Sequence, residues 1–182
     1  MKKQLVIIHG GTTFDNYQTY FDFLKNRKVD ADKFKARKHW QNSLDKQLGE
    51  DFEVFVPRMP NRDNARYEEW KVWFEKMTPF INDNVMLMGY SLGGIFLVKY
   101  ISENIYPRKI KIVFLVAAPF DNNNLKESLG DFVLPVSLDN FSKQVEKTYL
   151  LFSKDDPVVP FVHVKKYKNI LPNSEVIPFE DR

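Results

Sequence analysis

The run Val85-Met86-Leu87-Met88-Gly89-Tyr90-Ser91-Leu92-Gly93-Gly94-Ile95-Phe96-Leu97-Val98 constrains this chain more than any other stretch. An apolar segment of strand length enters Gly-x-Ser-x-Gly, and an apolar segment compatible with a helix leaves it. The pattern predicts a strand, a sharp turn and a helix. Gly89 and Gly93 flank a backbone too crowded for a Cβ, and the residue between them must hold a strained conformation that pushes its side chain outward. Ser91 is therefore expected as an exposed hydroxyl. The Leu92 N–H lies at the positive end of the following helix, where an oxyanion would form. A glycine-rich turn in some other doubly wound fold is the competing interpretation, and the strand and helix on either side favour the nucleophile turn.

The chain has 182 residues, which predicts a single domain over residues 1–182 with a substantial core. It contains no cysteine, which excludes disulfides, thiolate catalysis and cysteine-ligated metal and suits a reducing compartment. Two lysines precede the apolar stretch Leu5-Val6-Ile7-Ile8, but that stretch is too short for a signal peptide or a membrane span. A cytoplasmic protein with no membrane partner is expected. Net charge is only +3, yet residues 25–38 carry seven Lys or Arg against two Asp. Such a run is more often a solvated helical insertion than a nucleic-acid contact, so nucleic acid is disfavoured as a partner.

Leu5 to Ile8 is expected as a buried strand that ends in His9-Gly10-Gly11-Thr12-Thr13. With the Ser91 turn nearby, the N–H of Gly11 or Thr12 is expected to supply a second donor to an oxyanion. Residues 14–39 form an insertion whose leading aromatics, Phe14, Tyr17, Tyr20, Phe21 and Phe23, either wall a pocket or pack as a helix face; packing is preferred. Trp40, Leu44 and Leu48 share one helix face, and Gly49 stops that helix. Phe52 to Val56 is the second strand, and Tyr67, Trp70, Trp73, Phe74 and Met77 form the stripe of an amphipathic core helix that Pro79 helps to end. Val85 to Met88 leads to the turn, and the helix from Leu92 stops before Pro107.

Ile110 to Ala117 is almost wholly apolar, as a central parallel strand should be, and ends in Ala118-Pro119-Phe120 at the edge where ligand crevices form. Residues 121–147 are rich in apolar residues without a clear period and are the candidate cap. Thr148 to Ser153 is followed by Lys154-Asp155-Asp156-Pro157-Val158-Val159-Pro160. A carboxylate on this loop could orient a catalytic imidazole; Asp156 is preferred and Asp155 is the fallback. A helix over Val159 to Leu171 and a last strand over Ser174 to Pro178 complete the chain. The whole reads as an α/β fold, a doubly wound and mostly parallel sheet of about six strands with helices on both faces.

An activated serine needs a general base, and none of the three histidines is well placed. His9 precedes the glycine turn and reads as a structural group. His39 falls in the basic insertion, and His163 follows Asp156 too closely to reach back. The base is expected on the loop after the last strand, just beyond Arg182.

Taken together, Gly89-Tyr90-Ser91-Leu92-Gly93-Gly94, Phe114-Leu115-Val116-Ala117-Ala118-Pro119-Phe120 and Ser153-Lys154-Asp155-Asp156-Pro157-Val158-Val159-Pro160 resemble the small serine hydrolases related to retinoblastoma-binding protein 9. That branch is a compact form of the α/β-hydrolase fold, and the resemblance covers nearly the whole chain. In it a Gly-His pair typically follows the last strand, and Phe179-Glu180-Asp181-Arg182 looks like its prelude. The resemblance implies a serine hydrolase acting on a small-molecule acyl substrate, with Ser91 as nucleophile, Asp156 as triad acid and no cofactor or metal. The long basic insertion departs from the pattern. A hydrolase scaffold retained as a binding module, for a protein or an anionic partner, is the second expectation.

Overall fold

The computed structural model describes residues 2–35 and 43–180, so the expectations for His39 and Trp40 lie outside the described residues. Apolar runs bounded by Gly, Pro and Asn form six strands: β1 (Lys3–Ile8), β2 (Phe52–Phe55), β3 (Val85–Tyr90), β4 (Ile110–Val116), β5 (Val145–Ser153) and β6 (Glu175–Phe179). They make one sheet in the order β2-β1-β3-β4-β5-β6, and every neighbouring pair is parallel. The helices are α1 (Tyr17–Asn26), α2 (Leu44–Leu48), α3 (Tyr67–Glu75), α4 (Leu92–Glu103), α5 (Asp139–Gln144) and α6 (Val162–Ile170).

Strand order fixes where the helices lie. Right-handed crossovers running from β2 towards β6 put α3, α4, α5 and α6 on one face, whereas the β1-to-β2 connection runs the other way and takes α2, which packs against β2, to the opposite side. The sheet therefore has helices on both sides. The main core lies under the first group, where Val6, Ile8, Leu87, Val113, Leu115, Leu150 and Phe152 meet the helices. Trp70 sits fully buried in a cluster of rings with Phe96 and Phe132, and its indole N–H donates to the Pro60 carbonyl at 2.8 Å. The expected stripe of α3 is core at Tyr67, Trp70 and Phe74, but Trp73 is 45% exposed because it lies past the edge of the buried arc.

Two further differences have local causes. β5 starts at Val145, three residues before the expected Thr148, because Val145 pairs with Ile110 at the start of β4. Within residues 121–147, α5 supplies the only α-helix among the described residues, and Phe141 and Leu138 anchor it in the core.

The largest difference is α1. Packing was expected of its aromatics, yet no residue of α1 is buried. Its rings contact one another instead: Phe14 lies against Tyr20 and Phe23, and Tyr17 stacks on Phe21. The helix holds its own start through a capping box in which Asn16 accepts from the Thr19 N–H at 2.9 Å and Thr19 accepts from the Asn16 N–H at 3.3 Å.

Candidate active site

Ser91 follows the last residue of β3 and caps α4, with φ 51° and ψ −119°. A non-glycine residue rarely adopts this conformation, and it is held here from several directions. The Ser91 N–H donates to the Val116 carbonyl at 2.8 Å, and the Ser91 carbonyl accepts from Gly94 at 2.9 Å. A Cβ on Gly89 would lie 2.4 Å from the Gly93 oxygen, and one on Gly93 would lie 2.3 Å from the Ile8 oxygen. Only hydrogen fits at either place. The two glycines thus let α4 start directly against β1 and β3.

Parallel pairing of Ile8 with Gly89 brings the His9-Gly10-Gly11 turn beside the elbow. A Cβ on Gly10 would sit 3.2 Å from the Ser91 Cβ, so this turn touches the serine itself. The two amides expected as oxyanion donors differ. The Thr12 N–H is committed to the Arg62 carbonyl at 2.9 Å, and the Thr12 carbonyl accepts from Ala65. Gly11 lines the cleft at Ser91, whereas Thr12 does not.

That cleft encloses about 270 Å³ and is assembled at the carboxyl ends of four adjacent strands. Gly11 and Thr13 come from the loop after β1, Ser91 and Leu92 from the elbow, Pro119 and Leu125 to Leu129 from the segment after β4, and Pro157 to Val159 from the loop after β5. Its walls are mainly apolar, and Ser91 is half-buried at one side. Sequence reasoning missed Thr13, whose hydroxyl donates to the Ser128 carbonyl at 2.5 Å and ties two walls of the cleft together. The Thr-Thr pair gave no sign of which residue turns inward.

The two carboxylates after β5 are in different surroundings. Asp156 is half-buried and its Oδ1 accepts from the N–H groups of Val158 and Val159, at 2.8 and 3.0 Å. Asp155 is exposed and accepts from the Ser153 hydroxyl. Asp156 directly precedes the three residues that line the cleft. Beside it, the Lys154 N–H donates to the Phe179 carbonyl at 2.9 Å and the Lys154 ammonium pairs with Glu180 at 2.6 Å. Glu180 therefore leaves β6 next to the acidic loop.

Neither histidine among the described residues bonds to Ser91. His9 is a structural group: Nδ1 bonds the Gly10 carbonyl at 2.7 Å, and Nε2 accepts from the Met59 N–H at 2.9 Å. Burial lowers its pKa, so the ring is neutral with its proton on Nδ1. His163 is fully buried, and its Nδ1 accepts from the Phe120 N–H at 3.1 Å. Burial, reinforced by nearby Lys166, also lowers its pKa. No group of three or more His, Asp or Glu suited to holding a metal occurs among the described residues. No helix there is long and apolar enough to cross a membrane.

A parallel sheet, a strained serine between strand and helix, and a cleft at the carboxyl edge together define a hydrolase of the α/β type. The chain belongs to the serine hydrolase family, whose sequence profile matches residues 33–176. Among solved structures, the ydeN gene product of B. subtilis shares the fold with a TM-score of 0.72 at 19% identity, over 98% of this chain and 86% of that one. An esterase from Exiguobacterium antarcticum is similar with a TM-score of 0.59 at 15% identity, over 98% of this chain and 84% of that one. Among curated proteins, none matches the chain.

Proposed function

We propose that this serine hydrolase cleaves a small ester, thioester or amide through an acyl-enzyme at Ser91. The observation that carries the proposal is the convergence of Ser91, Leu92, Gly11 and the Pro157 to Val159 loop on one cleft. Ser91 Oγ attacks the carbonyl carbon as a histidine C-terminal to Arg182 removes its proton, and the carbonyl electrons move onto oxygen. The Leu92 and Gly11 N–H groups receive that oxyanion; Gly11 is preferred because Thr12 already donates to Arg62. Collapse of the intermediate expels the alcohol, thiol or amine, which takes its proton from the imidazolium. Water, deprotonated by the same imidazole, then attacks the acyl group and releases the acid and Ser91.

Asp156 orients the histidine. Its two backbone donors fix the carboxylate, and the exit of Glu180 beside Lys154 supports a base supplied by the chain after β6. The segment 121–147 serves as the cap, since Leu125 to Leu129 wall the cleft. The chemistry needs no metal or organic cofactor. Kinship with the retinoblastoma-binding protein 9 branch and a cytoplasmic location belong to the same proposal.

Hydrolysis of p-nitrophenyl esters of graded acyl length by the complete gene product tests this reading. Turnover is expected to fall by roughly three orders of magnitude or more in Ser91→Ala. Unchanged turnover in that variant overturns it. A second reading, a hydrolase scaffold that binds without turnover, is favoured by one observation: the placed histidines, His9 and His163, both have structural partners rather than Ser91.

A further inference from the structure

α1 is an amphipathic helix with no buried residue on either face. Its rings and leucine occupy one arc: on a helical projection Phe23, Tyr20, Leu24, Tyr17 and Phe21 are contiguous, with Gln18, Asp22 and Asn26 opposite. In a helix packed on a sheet that arc would be buried, but here Tyr17 is 66%, Leu24 44% and Phe21 39% exposed. The exposure continues into the next segment, where Val29 is 55% and Phe34 78% exposed.

The charges are arranged with the apolar arc rather than against it. The Lys25 ammonium lies 4.5 Å from the Phe21 ring centre and the Arg27 guanidinium 5.4 Å from that of Phe23. Lys28 follows directly, and the run 25–38 holds five more cations than anions. Exposed phenylalanine and tyrosine rings with long cationic side chains on their border match the boundary between headgroups and acyl chains, where both halves of the face are solvated as they require.

We infer that α1 and the chain to Lys35 form an interfacial segment that docks on an anionic lipid surface. No membrane span is needed for this, because a helix lying in the interface buries only its apolar arc. The positive run selects negatively charged headgroups. A second copy of this chain fits less well, because the chain is itself net positive and the two basic runs would repel.

The segment is tied to the cleft. The Ser128 hydroxyl donates to Asp15 at 3.0 Å, and Arg66 donates to the Phe14 carbonyl at 2.9 Å, so the start of α1 is fixed against the wall that contains Thr13. Docking thus holds the Ser91 cleft near the surface. That consequence rests on the proposed hydrolase reading, whereas docking itself does not.

Co-sedimentation with vesicles of phosphatidylcholine alone, and of phosphatidylcholine mixed with phosphatidylserine, tests the inference on the full chain at low and high salt. The protein is expected to sediment with the mixed vesicles at low salt and to be released by high salt. Partitioning is expected to fall about tenfold in Phe21→Ser/Leu24→Ser and in Lys25→Glu/Lys28→Glu, as removal of buried apolar area or of interfacial charge requires. Trp73→Ser, an exposed ring on α3, serves as the control and should bind as the parent does. Circular dichroism and thermal melting establish that each variant is folded. The inference is overturned by failure of the folded parent to sediment with the mixed vesicles, or by binding that the α1 variants leave unchanged. It is equally overturned if gel filtration shows a dimer that the α1 variants dissociate, since a second copy then occupies the face.

Discussion

Strain at Ser91 costs about 1–3 kcal/mol in a free chain, and the neighbouring glycines let the fold impose it. Gly93 illustrates how little room remains. In Gly93→Ala the new methyl would lie 2.3 Å from the Ile8 carbonyl oxygen and 2.6 Å from that of His9, and neither belongs to a flexible side chain. Destabilisation of about 3 kcal/mol or more is expected from urea denaturation; a variant as stable as the parent would show that β1 yields to α4. The buried histidines predict a pH dependence. Burial places the folded-state pKa values of His9 and His163 below 6.5, so between those values and 6.5 the unfolded chain binds more protons. Their contribution is fully present above pH 6.5 and is lost as pH falls through the folded values. Melting temperature should therefore decline on acidification from pH 7 towards 5, with a shallower slope in a folded His163→Asn variant, and a rise over that interval would contradict the assignment. The Ser91 turn was legible in the sequence because its glycines stand at fixed spacing between a strand-length and a helix-compatible apolar run. The commitment of the Thr12 N–H was not, because its acceptor, the Arg62 carbonyl, lies fifty residues away.

At the level of elements, α3 shows how a helix start can be completed from far along the chain. Arg66 provides no side-chain cap, and the Tyr67 N–H instead donates to Asp131 at 3.0 Å. Asp131 thus does the work of an N-cap from the segment after β4, close to the residues that wall the cleft. Asp131→Ala is expected to cost about 1 kcal/mol, measured as a shift in urea midpoint at constant slope; no shift would mean that water satisfies that donor equally well. Such a cap has no signature in the α3 sequence. α1 is the complementary case: its aromatics were expected either to wall a pocket or to pack as a helix face, and spacing alone does not say what a helix face meets. In the structure neither face is buried: α1 lies in the long connection between β1 and β2 and none of its residues is buried.

At the scale of the molecule, strand order does most of the organising. Continuous apolar runs marked the parallel strands in the sequence, and right-handed crossovers then allow few arrangements. The cleft follows, since four consecutive strands of the sheet end side by side and each contributes one loop to it. Its composition was less legible, because Leu125 to Leu129 reach the cleft through contacts such as Asn122 with Leu129 and Thr13 with Ser128 rather than through a periodic pattern. The central claim is that Ser91 is the one activated nucleophile in this architecture. Treatment of the complete gene product with a fluorophosphonate, followed by mass-spectrometric mapping of the adduct, tests it most directly. A single adduct on Ser91 is the predicted result; labelling of another residue, or none on a folded protein, would contradict it.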